Sequence, residues 1–205
     1  LNPLKDKLNS AEDKLQTLPK QNIEEIKLKN GARLLVQIDP RLPNVHMRVV
    51  AQGGPLHEEA DARGATALLA NLLVKDTKRR SASEVAEYIE QVGGTFTPFY
   101  GNNSIGLAAE VLPLNVDRAL SVIGDALLCP LFTETSFKLE KQTQVAALKH
   151  DEDDVVTEAR KLMRKAFFGD HPLALDCRGE LSSAELLKAD AVRALYKKLI
   201  VAPVS

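Results

Sequence analysis

The chain has 205 residues, a formal net charge of −1, 44% hydrophobic residues and 27% charged ones. That balance belongs to a folded globular chain and excludes fibrous and disordered classes. It leaves no basic footprint for nucleic acid, and no run approaches the roughly 18 to 20 apolar residues of a membrane span. Two cysteines, Cys129 and Cys177, do not make a disulfide scaffold. The four histidines, His46, His57, His150 and His171, are 11, 93 and 21 residues apart, so no His-x-x-x-His or His-x-x-Glu-His motif occurs. The chain opens on Leu1 without a methionine or the regions of a signal peptide, which reads as a processing boundary and leaves the compartment open.

Residues 1–22 read as a linker or arm. Leu4, Leu8, Leu15 and Leu18 sit among charges, but Pro3 and Pro19 bracket them and Pro19 cannot continue a helix. From Ile23 the pattern turns to strands, 23–28 and 33–38, with Asn30-Gly31 between them as a hairpin signal of the type that needs positive φ at both central residues. A third strand, Val45 to Ala51, ends at Gly53-Gly54-Pro55. Ala62 to Lys75 is helical and apolar nearly all round, hence buried. The capping-box spacing Ser81-Ala82-Ser83-Glu84 opens a second helix, which Gly93-Gly94 ends. Strands Thr95–Tyr100 and Ser104–Val111 follow. Helices are expected over 114–128, 134–150 and 155–168, and over 186–200 behind a second capping box at Ser182-Ser183-Ala184-Glu185. The order β-β-β-α-α-β-β-α-α-α-α argues an α+β fold, a mainly antiparallel sheet with helices packed on one face.

Local clusters carry little chemistry by themselves. His57-Glu58-Glu59 reads as a solvated loop, and His150-Asp151-Glu152-Asp153-Asp154 as a helix end whose carboxylates favour the dipole. His171-Pro172 reads as turn chemistry, Cys129 as buried, and Cys177 as more exposed. Tyr88, Phe96, Phe99 and Tyr100 are expected in the core, and Lys75, Lys78, Arg79 and Arg80 on a solvated helix end.

The run from Gly53-Gly54-Pro55 through Gly64-Ala65-Thr66-Ala67-Leu68-Leu69-Ala70-Asn71 to Thr77 resembles the zinc helix of the insulinase-like, or pitrilysin-like, metallopeptidases, whose signature is H-x-x-E-H. Ser81 to Gly94, Ala109-Glu110-Val111-Leu112, Pro130-Leu131-Phe132, Glu140 to Leu148 and Phe168-Gly169-Asp170-His171-Pro172 … Gly179 continue the likeness over about residues 23–203. The resemblance implies the fold of the mitochondrial processing peptidase and LuxS-like metallohydrolases. It puts Ala67 and Asn71 where the family has its two histidines and Ala70 where it has its glutamate base. It puts Ala147, 76 residues after Asn71, where it has its third ligand. Alanine offers no lone pair, and one amide oxygen is a poor zinc ligand. The reading is therefore a domain with no catalytic residue, metal or cofactor of its own.

What the family implies beyond this is a non-catalytic domain of a zinc metalloendopeptidase. It would enclose a peptide substrate and assemble with an active zinc-bearing half, in the same chain or as a heterodimer. The alternative is a structural assembly subunit derived from the peptidase fold, like the core proteins of respiratory complexes. Zinc is expected only in the partner half, and the likeness to bacterial members favours the periplasm. In the family a further strand and helix follow a segment like Tyr196 to Pro203. Residues 23–205 are thus expected to be one domain cut before that strand, leaving a sheet edge unpaired and open to a homodimer.

Overall fold

The computed structural model describes residues 23–201. The expected linker, residues 1–22, lies outside them. Contacts separate a hairpin, ending before residue 43, from a larger unit that begins at Pro43.

The hairpin pairs β1 (Ile23–Lys27) with β2 (Arg33–Gln37) in antiparallel register, Ile23 opposite Gln37 and Lys27 opposite Arg33. Its turn differs from the two-residue form expected. The Leu28 N–H donates to the Ala32 carbonyl at 2.8 Å, and the Gly31 N–H to the Leu28 carbonyl at 3.0 Å. Only Gly31, at φ 83°, leaves the ordinary regions, because one left-handed residue suffices to close a longer turn through a bulge.

The larger unit is built on a three-stranded antiparallel sheet ordered β3 (Val45–Gln52), β5 (Ser104–Val111), β4 (Thr95–Tyr100). Ile105, Leu107, Ala109 and Val111 alternate along the central strand toward one face, and all are buried. Met47, Ala51, Phe96 and Tyr100 join the buried clusters on that face. On the opposite face the Arg48 guanidinium lies over the Phe99 ring. Pro98, which has no N–H to give a ladder, sits on edge strand β4.

Helices pack on the apolar face. α1 (Ala65–Leu73) buries every residue but Asn71, as its all-round apolar pattern requires. Leu68, Leu69, Leu72 and Leu73 are among its largest fully buried side chains, each stabilising the fold by roughly 1.5–3 kcal/mol. α2 (Ala82–Glu90) starts at the expected box: the Ser81 hydroxyl accepts from the Glu84 N–H, and the Glu84 carboxylate from the Ser81 N–H at 2.7 Å. α3 (Val116–Leu128), α4 (Glu134–Glu152) and α5 (Val155–Phe168) lie where the periodicity put them.

The last expected helix is two. α6 (Leu181–Leu186) and α7 (Ala189–Tyr196) break at Leu187, whose backbone is extended and whose carbonyl accepts from Lys141 Nζ at 2.9 Å. Ser182 and Ser183 lie inside α6. The hydroxyl of Ser183 reaches back to Glu180, accepting from its N–H at 3.1 Å and donating to its carbonyl. The capping box expected at Ser182 is therefore displaced two residues upstream. The Tyr196 hydroxyl donates to the Leu127 carbonyl and its ring meets Phe132 edge-on at 5.3 Å, which fixes α7 to the end of α3.

Four further expectations need correction. Cys129 is half-buried, not buried, and Cys177 is half-buried as well. Glu58 is no solvated side chain, being only 7% exposed. Lys75 pairs with Glu140 at 2.9 Å, and Arg79 and Arg80 both bond the buried Asp125, so the basic cluster holds helices together besides meeting solvent. Tyr88 is clamped between the guanidinium groups of Arg80 and Arg118, 4.5 and 4.6 Å from its ring centre.

Candidate functional site

The place to look for chemistry is the face shared by α1 and α4. α1 begins at Gly64, whose φ of 93° and whose 2.2 Å approach to the Arg178 carbonyl leave no room for a side chain. Its first turn has no side-chain cap of the usual kind. Glu58 serves from outside: its carboxylate accepts from the Gly64 N–H at 2.9 Å and from the Thr66 N–H at 2.6 Å. A buried negative charge at a helix N-terminus is favoured by the dipole and by those two donors together. Thr66 Oγ1 in turn accepts from the Gly54 N–H at 3.1 Å, which ties the glycine turn to the helix.

α4 lies along α1 through two polar contacts. Glu140 meets Lys75 near one end. At the other, the Gln144 amide nitrogen donates to the carbonyls of Gly64 and Arg178, at 3.1 and 2.7 Å. Two carbonyl partners fix that nitrogen, so Gln144 Oε1 points elsewhere, buried and without a partner among the described residues. Ala147 follows one turn on, half-buried on the same side of the helix.

The resemblance positions are filled with carbon. Ala67 and Ala70 are each 0% exposed, and Ala70 belongs to the largest apolar cluster. Asn71 is half-buried. None of the histidines lies on α1: His46 is on β3 beside Glu110 at 3.3 Å, His57 precedes Glu58, His150 is in the last turn of α4, and His171 Nδ1 accepts from the Leu173 N–H at 3.1 Å. Among the described residues no three of His, Cys, Asp and Glu converge as a metal would need. Two methyl groups, one amide and a lone buried amide oxygen do not fit a zinc ion, which wants three or four nitrogen, thiolate or carboxylate donors. Two clefts of about 350 and 470 Å³ open instead beside Arg63, Asp176, Gly179 and Glu180, and neither is lined by any of the four positions.

The titratable groups near this face serve the architecture. Burial opposes the charge on Asp76, but donors from Ser136, the Ala82 N–H and Thr133 outweigh it and hold its carboxyl below the usual range. Burial also opposes ionisation of Asp176, yet its bonds to Arg178 keep it low. Arg178, pushed up by Asp176 and Asp151, is fixed in its charged form. Burial and the neighbouring Asp176 raise the Cys177 thiol, the reverse of what a nucleophile needs.

Sequence reasoning missed Glu58, Gln144, Asp76 and Asp125. Only Gln144 carried a signal: Phe137, Glu140, Gln144 and Leu148 recur at three and four residues, and all are buried, so two polar residues sit on an otherwise apolar stripe.

This fold, three antiparallel strands under a buried helix that starts at a glycine turn, is that of a peptidase-like α+β domain. The chain belongs to the Insulinase (Peptidase family M16) family, which matches residues 33–179. It is 27% identical over 171 residues to an "Uncharacterized zinc protease" of Rickettsia bellii, and 27% identical over 171 residues to the "Uncharacterized zinc protease YmxG" of Bacillus subtilis. Each match takes in 83% of this chain and 42% of the relative, so the chain spans less than half the length of the relatives it matches. Among solved structures, the peptidase M16 inactive domain from Pseudomonas fluorescens superposes with a TM-score of 0.78 at 19% identity, over 85% of this chain and 43% of that one. A protease from Helicobacter pylori superposes at 0.80 and 16% identity, over 86% and 43%.

Proposed function

We propose that this chain is a catalytically silent domain of an M16-type zinc peptidase, one that walls in a peptide substrate and works beside a zinc-bearing half. The observation that carries the reading is the burial of Ala67 and Ala70: where the family helix turns ligands toward a metal and its water, this helix turns methyl groups into packed core. Likeness to a solved inactive domain of the same family supports it. The chain's share of the relatives' length supports a partner region. Degenerate positions Ala67, Ala70, Asn71 and Ala147 leave no group to activate water, so the domain contributes shape and assembly rather than proton transfer or metal ligation.

The test is metal analysis with a peptidase assay on the purified chain. Zinc well below one equivalent and no cleavage of unstructured peptides are expected. Tight stoichiometric zinc with cleavage would overturn the reading. A purely structural role predicts instead that removing the chain from its assembled complex leaves peptide hydrolysis unchanged, whereas a wall of the substrate chamber predicts a loss.

A further inference from the structure

Helix α5 is mounted inside out. Its fourteen residues include none that is buried. Thr157, Glu158, Lys161 and Arg164 are the half-buried ones, and Arg164 donates to the Leu175 carbonyl at 3.3 Å, so the polar side faces the body of the domain. The apolar side faces out. Val155, Met163 and Phe167, at steps of eight and four residues, are 81%, 68% and 80% exposed, and Leu162 beside them 67%. With Val156 and Ala159 they form one stripe. It exposes roughly 600 Å², at the upper end for the largest patch of a monomer and approaching the ~800 Å² per partner of a standard interface.

The charges around the stripe indicate what covers it. Glu152, Asp153 and Asp154 lie at the start of the helix, and Arg160 and Lys165, both exposed, in its second half. A surface of one sign would be repelled by one end. A second copy laid antiparallel sets each acidic start over the other's basic half, and the four-residue ridge of one stripe enters the groove of the other with Ala159 allowing close approach. We propose that this chain associates as an antiparallel two-fold dimer through the outward face of α5. This does not depend on the catalytic silence proposed above.

Sedimentation velocity and light scattering on the intact chain test it. The expected result is a dimer at micromolar concentration. Met163→Glu and Phe167→Glu should each weaken it about 30-fold or more, as interface anchors do, with unchanged circular dichroism because both side chains are exposed. Arg160→Glu with Lys165→Glu should weaken it as well, and adding Glu152→Lys and Asp153→Lys to the same chain should restore it. A monomer over that concentration range, a dimer indifferent to Met163 and Phe167, or charge reversals that do not restore each other would overturn the proposal. So would binding as a monomer to vesicles of phosphatidylglycerol and phosphatidylcholine, which would make the stripe a membrane face.

Discussion

Ala67 is the most informative single residue, because its methyl group occupies what a catalytic helix would leave open. It is 0% exposed in a helix whose neighbours on both sides are also buried. Close-packed interiors do not absorb added volume freely. Ala67→His should therefore cost about 2 kcal/mol in urea unfolding, from overpacking and from a buried imidazole without a partner, with no gain of zinc affinity. A neutral effect would mean that the site is open after all. Glu58 carries the opposite lesson: a charged side chain in a predicted loop turns out to hold the helix start. Glu58→Ala should destabilise by about 2 kcal/mol, since two buried N–H groups lose a charged acceptor, and Glu58→Gln by less, since one acceptor oxygen remains. Nothing in the local sequence announces this role, because the six residues from Glu58 to Gly64 fit no local capping spacing and the contact is made only once the loop has folded back.

At the scale of elements, the joints between helices are polar and the helices themselves apolar. Asp76 joins three of them: it accepts from the Ala82 N–H at the start of α2 and from Thr133 and Ser136 at the start of α4, just past the end of α1. Those donors hold its carboxyl below the usual aspartate value. A lowered folded pKa means that the unfolded chain takes up its proton first as the medium is acidified. The contribution of Asp76 is therefore complete above the unfolded value of about 3.9 and fades as pH falls through that value toward the lower folded one. The stability difference between wild type and Asp76→Asn should be constant between about pH 5 and 8 and should shrink below about pH 4. A difference that grew on acidification would contradict this. The same joints explain what was legible. Strands β4 and β5 and helix α5 end where period and turn residues end, so their bounds were readable. The Leu187 break was not, because the Lys141 contact to its carbonyl comes from a residue 46 positions away. The two serine boxes make the point closely: Ser81 caps α2 because Glu84 answers it, whereas the Ser182 spacing has a better competitor in Glu180 and Ser183.

At the scale of the molecule, burial is concentrated in very few elements. α1 and β5 supply most of the largest fully buried side chains, while Ile23, Leu34 and Leu35 of the hairpin remain 45–60% exposed. Opening free energy follows buried apolar contact, and a two-stranded hairpin is marginal by itself. Native-state hydrogen exchange should therefore be graded. Amides of Leu68 to Leu73 and of Ile105 to Ala109 should exchange only through global unfolding, with free energies equal to that from denaturant titration. Hairpin amides from Ile23 to Gln37 should exchange through local openings of far lower free energy, insensitive to Ala67→His. That substitution should lower the protection of α1 and β5 together, because both face the same apolar cluster. If the hairpin lost protection in step with α1, the two units would be unfolding as one, and the separation seen in their contacts would not extend to their energetics.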